Sequence, residues 1–166
     1  MKSAETKHEL KVTMSTDREI AMTRVVDALR QLVFDAFTKP ELIRRWLLGP
    51  EGWSMAVCDV DLRTGGTFHY VWRNYADGKE FGLGGVYREI VRPERIVHVE
   101  NFDEPWYPGE GLVTTTFVEQ NGSTTVTMSI LYDSREIRDM AIESGMERGV
   151  ATSYDRLAEL MAEIAT

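Results

Sequence analysis

His98 and Glu100 are two residues apart in a segment that alternates like a β-strand, so their side chains leave the same face of it. An imidazole beside a carboxylate is a pairing that general acid–base chemistry uses, provided that face lines a cavity. An ordinary polar strand face produces the same spacing, and a catalytic assignment also needs geometry that spacing does not supply. His69 and His98 are the only histidines beyond the N-terminal stretch. Neither stands in a spacing that gathers several metal ligands, so no metal site and no cofactor is expected. Gly82-Leu83-Gly84-Gly85 looks like a phosphate loop only in composition, because no strand precedes it and no helix follows it in the order nucleotide motifs require. A bulge or sharp bend in a strand accounts for such a run.

Aromatic residues carry a stronger signal. Trp53, Phe68, Tyr70, Trp72, Tyr87, Trp106 and Tyr107 are spread over several strands and one loop. Each alone reads as core; as a set they suit a pocket wall, since rigid rings offer large contact area with few rotamers to lose. The loop Asp103 to Gly111, rich in proline and glycine, is either a gate over a cavity mouth or a place where Trp106 plugs the end of the core.

These groups need a scaffold, and the chain has material for one domain. Its 166 residues are 43% apolar. With 27 acidic against 19 basic side chains the net charge is −8, which repels a phosphate backbone and an anionic bilayer, so neither nucleic acid nor membrane insertion is expected. Cys58 is the only cysteine and can make no internal disulfide, and Met1 to Arg18 lacks the apolar stretch of a signal peptide. A cytoplasmic protein is the expectation. Residues 1–17 read as an N-terminal arm or edge strand and 18–166 as one domain.

Residues His8 to Met14 alternate enough for a short edge strand, through which two copies could pair, or form a loose arm. Arg18 to Asp27 reads as a strand. Arg30 to Thr38 has helical spacing, ended by Lys39-Pro40, and a second short helix runs from Pro40 to about Leu47. Strands follow at Trp53 to Leu62, Thr67 to Asn74, Phe81 to Val91, Arg95 to Phe102, Leu112 to Glu119 and Ser123 to Tyr132, with Asn121-Gly122 a strong hairpin signal. In the first of these, Ala56, Cys58, Val60 and Leu62 share a face. Short turns imply a meander in which each strand pairs with its neighbour.

One long helix, Arg135 to Ile164, capped by Asp133 with Glu136, must then cover a large curved sheet, which leaves space beneath it. Ile142, Met146, Gly149, Ser153 and Leu157 form its sheet-facing stripe, widened by Val150 and Tyr154. Gly145 and Gly149 cost about 1 kcal/mol each inside a helix. Gly145 can end a short helix, with a new one beginning near Met146 and Gly149 permitting close packing, and the small residues can leave room for a ligand; the two are compatible.

The runs "REIAMTRVVDALRQLVFDAFTKPELIRRW", "CDVDLRTGGTFHYVWR", "GGVYREIVRPERIVHVE" and "SGMERGVATSYDRLAELM" resemble, over nearly the whole chain, the bacterial homologues of the activator of the heat shock protein 90 ATPase, in the START-like (SRPBCC) superfamily. The resemblance implies an α+β helix-grip fold: a curved antiparallel sheet of six or seven strands around the long C-terminal helix, with two short helices after the first long strand. Relatives in the superfamily bind lipids, hormones or polyketides, and some are aromatases, cyclases or lyases, with no shared catalytic set to carry over. The eukaryotic cochaperone has a further N-terminal domain for which this chain has no room. Leu29 stands where many relatives have proline, and Leu47 where many have the second tryptophan of a pair.

The expected function is binding of a small apolar or amphipathic ligand between the sheet and the last helix, by a monomer or homodimer. Phe37, Trp53, Phe68, Tyr70, Trp72, Tyr87, His98, Trp106, Met146, Gly149, Val150 and Ser153 are the expected lining. A cyclase- or hydrolase-type enzyme using His98 or Glu100 with a tyrosine is one alternative, and a cochaperone-like interaction protein is another.

Overall fold

The structure, a computed structural model, describes residues 8–165. Its elements are β1 (Lys11–Thr13), β2 (Glu19–Val26), α1 (Arg30–Thr38), α2 (Pro40–Trp46), β3 (Trp53–Val60), β4 (Thr67–Asn74), β5 (Glu80–Val91), β6 (Arg95–Phe102), β7 (Gly111–Gln120), β8 (Ser123–Leu131), α3 (Arg135–Glu143) and α4 (Met146–Ala165). All eight strands form one antiparallel sheet in the order β1-β2-β8-β7-β6-β5-β4-β3. The eighth is the three-residue β1, at the edge beside β2. Residues 1–7 of the N-terminal segment lie outside the described residues.

From β3 to β8 the chain is the expected meander, but β2 departs from it. It pairs with β8, from Glu19 opposite Leu131 to Val26 opposite Thr124, and α1 and α2 carry the chain across to the far edge, where β3 begins. Nearest-neighbour pairing fails here because helices, not a tight turn, join β2 to β3. One consequence is that β2 lies beside the last strand and under the last helix.

Alternation sets the inner face: Ile20, Met22 and Val26 of β2, Val113 and Phe117 of β7, and Val126 and Ile130 of β8 are buried. Against them lie Val33 and Phe34 of α1 and Tyr154, Leu157, Leu160 and Met161 of α4. Each large side chain so enclosed contributes about 1.5–3 kcal/mol. In β3 the alternation breaks, since a bulge between Met55 and Val57 turns Met55 and Cys58 inward and leaves Ala56 only half-buried. The glycine-rich run of β5 is unbulged from Gly82 to Gly85; the irregularity comes later, between Tyr87 and Glu89. Those glycines serve close approach instead. A Cβ on Gly85 would strike the Val99 carbonyl oxygen and come 2.8 Å from the Phe68 ring.

The C-terminal helix is two helices. Gly145 has φ +82°, a conformation that glycine adopts without steric cost, and it ends α3 so that α4 starts at Met146. The cap of α3 is Ser134, whose hydroxyl accepts from the Ile137 amide at 3.2 Å, one residue after the expected Asp133. Gly149 is not a packing contact: a Cβ there meets nothing within 4 Å.

Candidate functional site

A cavity of about 350 Å³ lies between the inner face of the sheet and the helices. Strand β4 supplies Phe68, Tyr70 and Trp72, β5 supplies Phe81, Leu83 and Tyr87, and β6 supplies Ile96, His98, Glu100 and Phe102. The far wall is Thr115, Met128 and Ile130 from β7 and β8; Phe37, Ile43 and Trp46 close one end, with Leu47, Gly49 and Pro50 following α2. Met146, Gly149, Val150, Ser153 and Tyr154 of α4 form the roof. Among these, Pro50, Phe81 and Gly149 are exposed and mark where the space meets solvent.

Ten of the twelve expected lining residues stand on this wall: Phe37, Phe68, Tyr70, Trp72, Tyr87, His98, Met146, Gly149, Val150 and Ser153. Two do not. Trp53 begins β3 and packs on Phe81, ring centroids 5.1 Å apart, behind the wall because that strand is the sheet edge. Trp106 is 41% exposed and lies 4.8 Å from the Tyr107 ring and 5.7 Å from Phe102, over the end of the core. Sequence reasoning missed the contribution of α2 and the loop after it. Their signal was Pro40 at a helix start followed by Ile43 and Trp46 three residues apart, one helical face.

The wall is mainly carbon. The two indole N–H groups on it are taken, Trp46 donating to the Ala36 carbonyl at 2.8 Å and Trp72 to the Leu47 carbonyl at 2.9 Å. Polar character is concentrated on β6. His98 Nε2 and Glu100 Oε1 are 3.0 Å apart, with side chains 16% and 17% exposed, so the pair lies on the cavity side of the sheet. Among the described residues nothing else hydrogen-bonds the Glu100 carboxylate. His98 Nδ1 and the Tyr154 hydroxyl are buried without partners among the described residues. An unmet buried polar atom costs about 1–3 kcal/mol.

Tyrosines ring this polar strip and are held neutral. Burial pushes Tyr87 up to about 12 and Tyr107 up to about 12, the latter raised also by the Glu100 carboxylate. Burial raises Tyr70 well above its usual range, with Tyr87, Cys58 and Glu100 adding to it. At ordinary pH these phenols are hydrogen-bond donors, not bases. Cys58, inward on β3, is raised to about 11 by burial and is an inert thiol. No group of three or more metal-ligating side chains occurs among the described residues. No helix there is long and apolar enough to cross a membrane.

The family profile described as activator of Hsp90 ATPase homolog 1-like protein matches residues 27–162. A crystal structure of a Rhodobacter sphaeroides protein is 28% identical, covers 93% of this chain and 99% of its own, and superposes with a TM-score of 0.87. A Chromobacterium violaceum protein is also 28% identical, over 86% of this chain and 96% of its own, at a TM-score of 0.74. The solution structure of an AHSA1-like protein from Aeromonas hydrophila, 18% identical over 86% of this chain and 93% of its own, shares the fold at 0.70. No curated protein matches the chain.

Proposed function

Because this chain belongs to the activator of Hsp90 ATPase homolog 1-like family, with its START-like fold, we propose that it is a receptor for a small apolar or amphipathic molecule held between the sheet and α4. The observation that carries this reading is the cavity itself. About 350 Å³ lined by aromatic and aliphatic side chains, with a few convergent polar groups, is the usual constitution of a small-molecule site. The lack of any Cβ contact at Gly149 supports it, since that glycine is not retained for helix packing. Met146→Trp is the test. The variant fills the roof beside Val150 and should fold, yet lose the thermal stabilisation that a bound ligand gives by mass action. Stabilisation equal to that of the unmodified protein removes this site.

A second reading, proton transfer on the bound molecule, is supported by one observation: His98 and Glu100 are paired at 3.0 Å on the cavity side. With Nε2–H donating to Glu100, Nδ1 carries the lone pair of the neutral ring, the arrangement by which a carboxylate prepares an imidazole as a base. Deuterium exchange at the carbon next to the carbonyl of 2-tetralone, lost in His98→Gln, would establish it; exchange equal to buffer would end it.

A further inference from the structure

Among the described residues, those lining the cavity include no lysine and no arginine, and a single carboxylate, Glu100. That carboxylate stands between two glycines: in cross-strand register its neighbours are Gly85 on β5 and Gly111 on β7, so neither residue paired with it adds a side chain of its own beside it. Gly85 is obligatory, because the Phe68 ring lies over it. The carboxylate has about four acceptor sites, and among the described residues one is used, by His98. Aromatic faces, which attract cations through their quadrupoles, dominate the same space. The net charge of −8 draws cations toward the molecule.

From this arrangement we infer that the molecule held in the cavity is an organic amine in its protonated form, its ammonium donating to Glu100 and its hydrocarbon body against the rings of β4 and β5. The inference rests on the receptor reading and narrows it to a charge class. An organic carboxylate or phosphate would meet Glu100 with no lysine or arginine among the described lining residues to offset the repulsion, the one imidazole being bonded to Glu100 through Nε2. A hydrocarbon would enter but leave the carboxylate underused. The ammonium gains a charge-assisted bond in a space with little competing water.

Three probes on one skeleton separate the possibilities: naphthalene, 2-naphthylmethylamine and 2-naphthoate, titrated at neutral pH into the full chain and into Glu100→Gln. The amine should bind at least about tenfold tighter than naphthalene, a difference of about 1.4 kcal/mol, and naphthoate weaker than both. Glu100→Gln, nearly isosteric, should abolish the amine's advantage and leave naphthalene binding intact, which also shows that the variant is folded. Naphthoate binding as tightly as the amine, or an amine affinity indifferent to Glu100→Gln, overturns the inference while leaving the receptor reading in place. Failure of all three probes to bind overturns both.

Discussion

Arg24 Nη1 meets Asp155 Oδ1 at 2.6 Å, joining the inner face of β2 to α4. The arginine is 6% exposed and sits between Met22 and Val26, while the aspartate is largely in solvent. This bond ties the second strand to the last helix.

Removing the aspartate leaves a buried guanidinium without its counter-charge. Asp155→Ala should cost about 2 kcal/mol, less than a fully enclosed pair because the carboxylate side is solvated. Arg24→Met combined with Asp155→Ala should recover most of that loss, since an apolar chain of similar length suits the site. Urea midpoints of the three variants and the parent decide the matter; a double variant no better than Asp155→Ala contradicts it.

Opposite signs are expected at the two glycines of the C-terminal helices. Gly149→Ala should stabilise the protein by about 1 kcal/mol, because its φ is not positive and the added methyl meets nothing. Gly145→Ala should lose about 1–3 kcal/mol, because a side chain is strained at φ +82° and its Cβ comes 3.2 Å from Arg148. Thermal melts of the pair measure both.

Gly85→Ala should be at least as damaging as Gly145→Ala. Its methyl would overlap the Val99 carbonyl oxygen as well as the Phe68 ring, so relief requires the β5–β6 pairing to yield and Phe68 to shift. Loss of about 1–3 kcal/mol together with weaker naphthalene binding is the expected result, read by denaturation and titration in parallel.

High pH should destabilise the protein progressively, beginning where the thiol of the unfolded chain ionises. Cys58 is raised from 9.0 to about 11 and Tyr87 from 10.0 to about 12, in both cases first by burial. Their folded values exceed their unfolded ones, so between these limits the unfolded chain binds fewer protons and stability falls as pH rises. The contribution is complete below pH 9 and is lost progressively from there to about 12. Tyr87→Phe should flatten the upper part of that decline, visible in urea midpoints across the range. Cys58 should resist thiol reagents at pH 8 until the protein is denatured.

Much of this architecture was legible because it is local. The extents of α1, β4 and β6 follow from periodicity, proline and turn residues within a few positions of each end. The pairing of β2 with β8 was not, because partner choice across more than a hundred residues leaves no mark on either strand. The bulge in β3 escaped for a related reason: Trp53 to Leu62 alternates in hydropathy even where its backbone does not. On the wall, strand alternation found Phe68, Tyr70, Trp72 and His98, whereas aromatic character alone misplaced Trp53 and Trp106. A ring on an edge strand or an end loop looks the same in sequence as one over the centre of the sheet.

The indoles of Trp46 and Trp72, each pinned through its nitrogen to a backbone carbonyl, show the interior only their carbon faces and cannot swing away from what enters. Fluorophores fixed in that way respond to displacement of water from their surface without themselves moving. A change in tryptophan emission is therefore the expected optical sign of occupancy, readable on unlabelled protein.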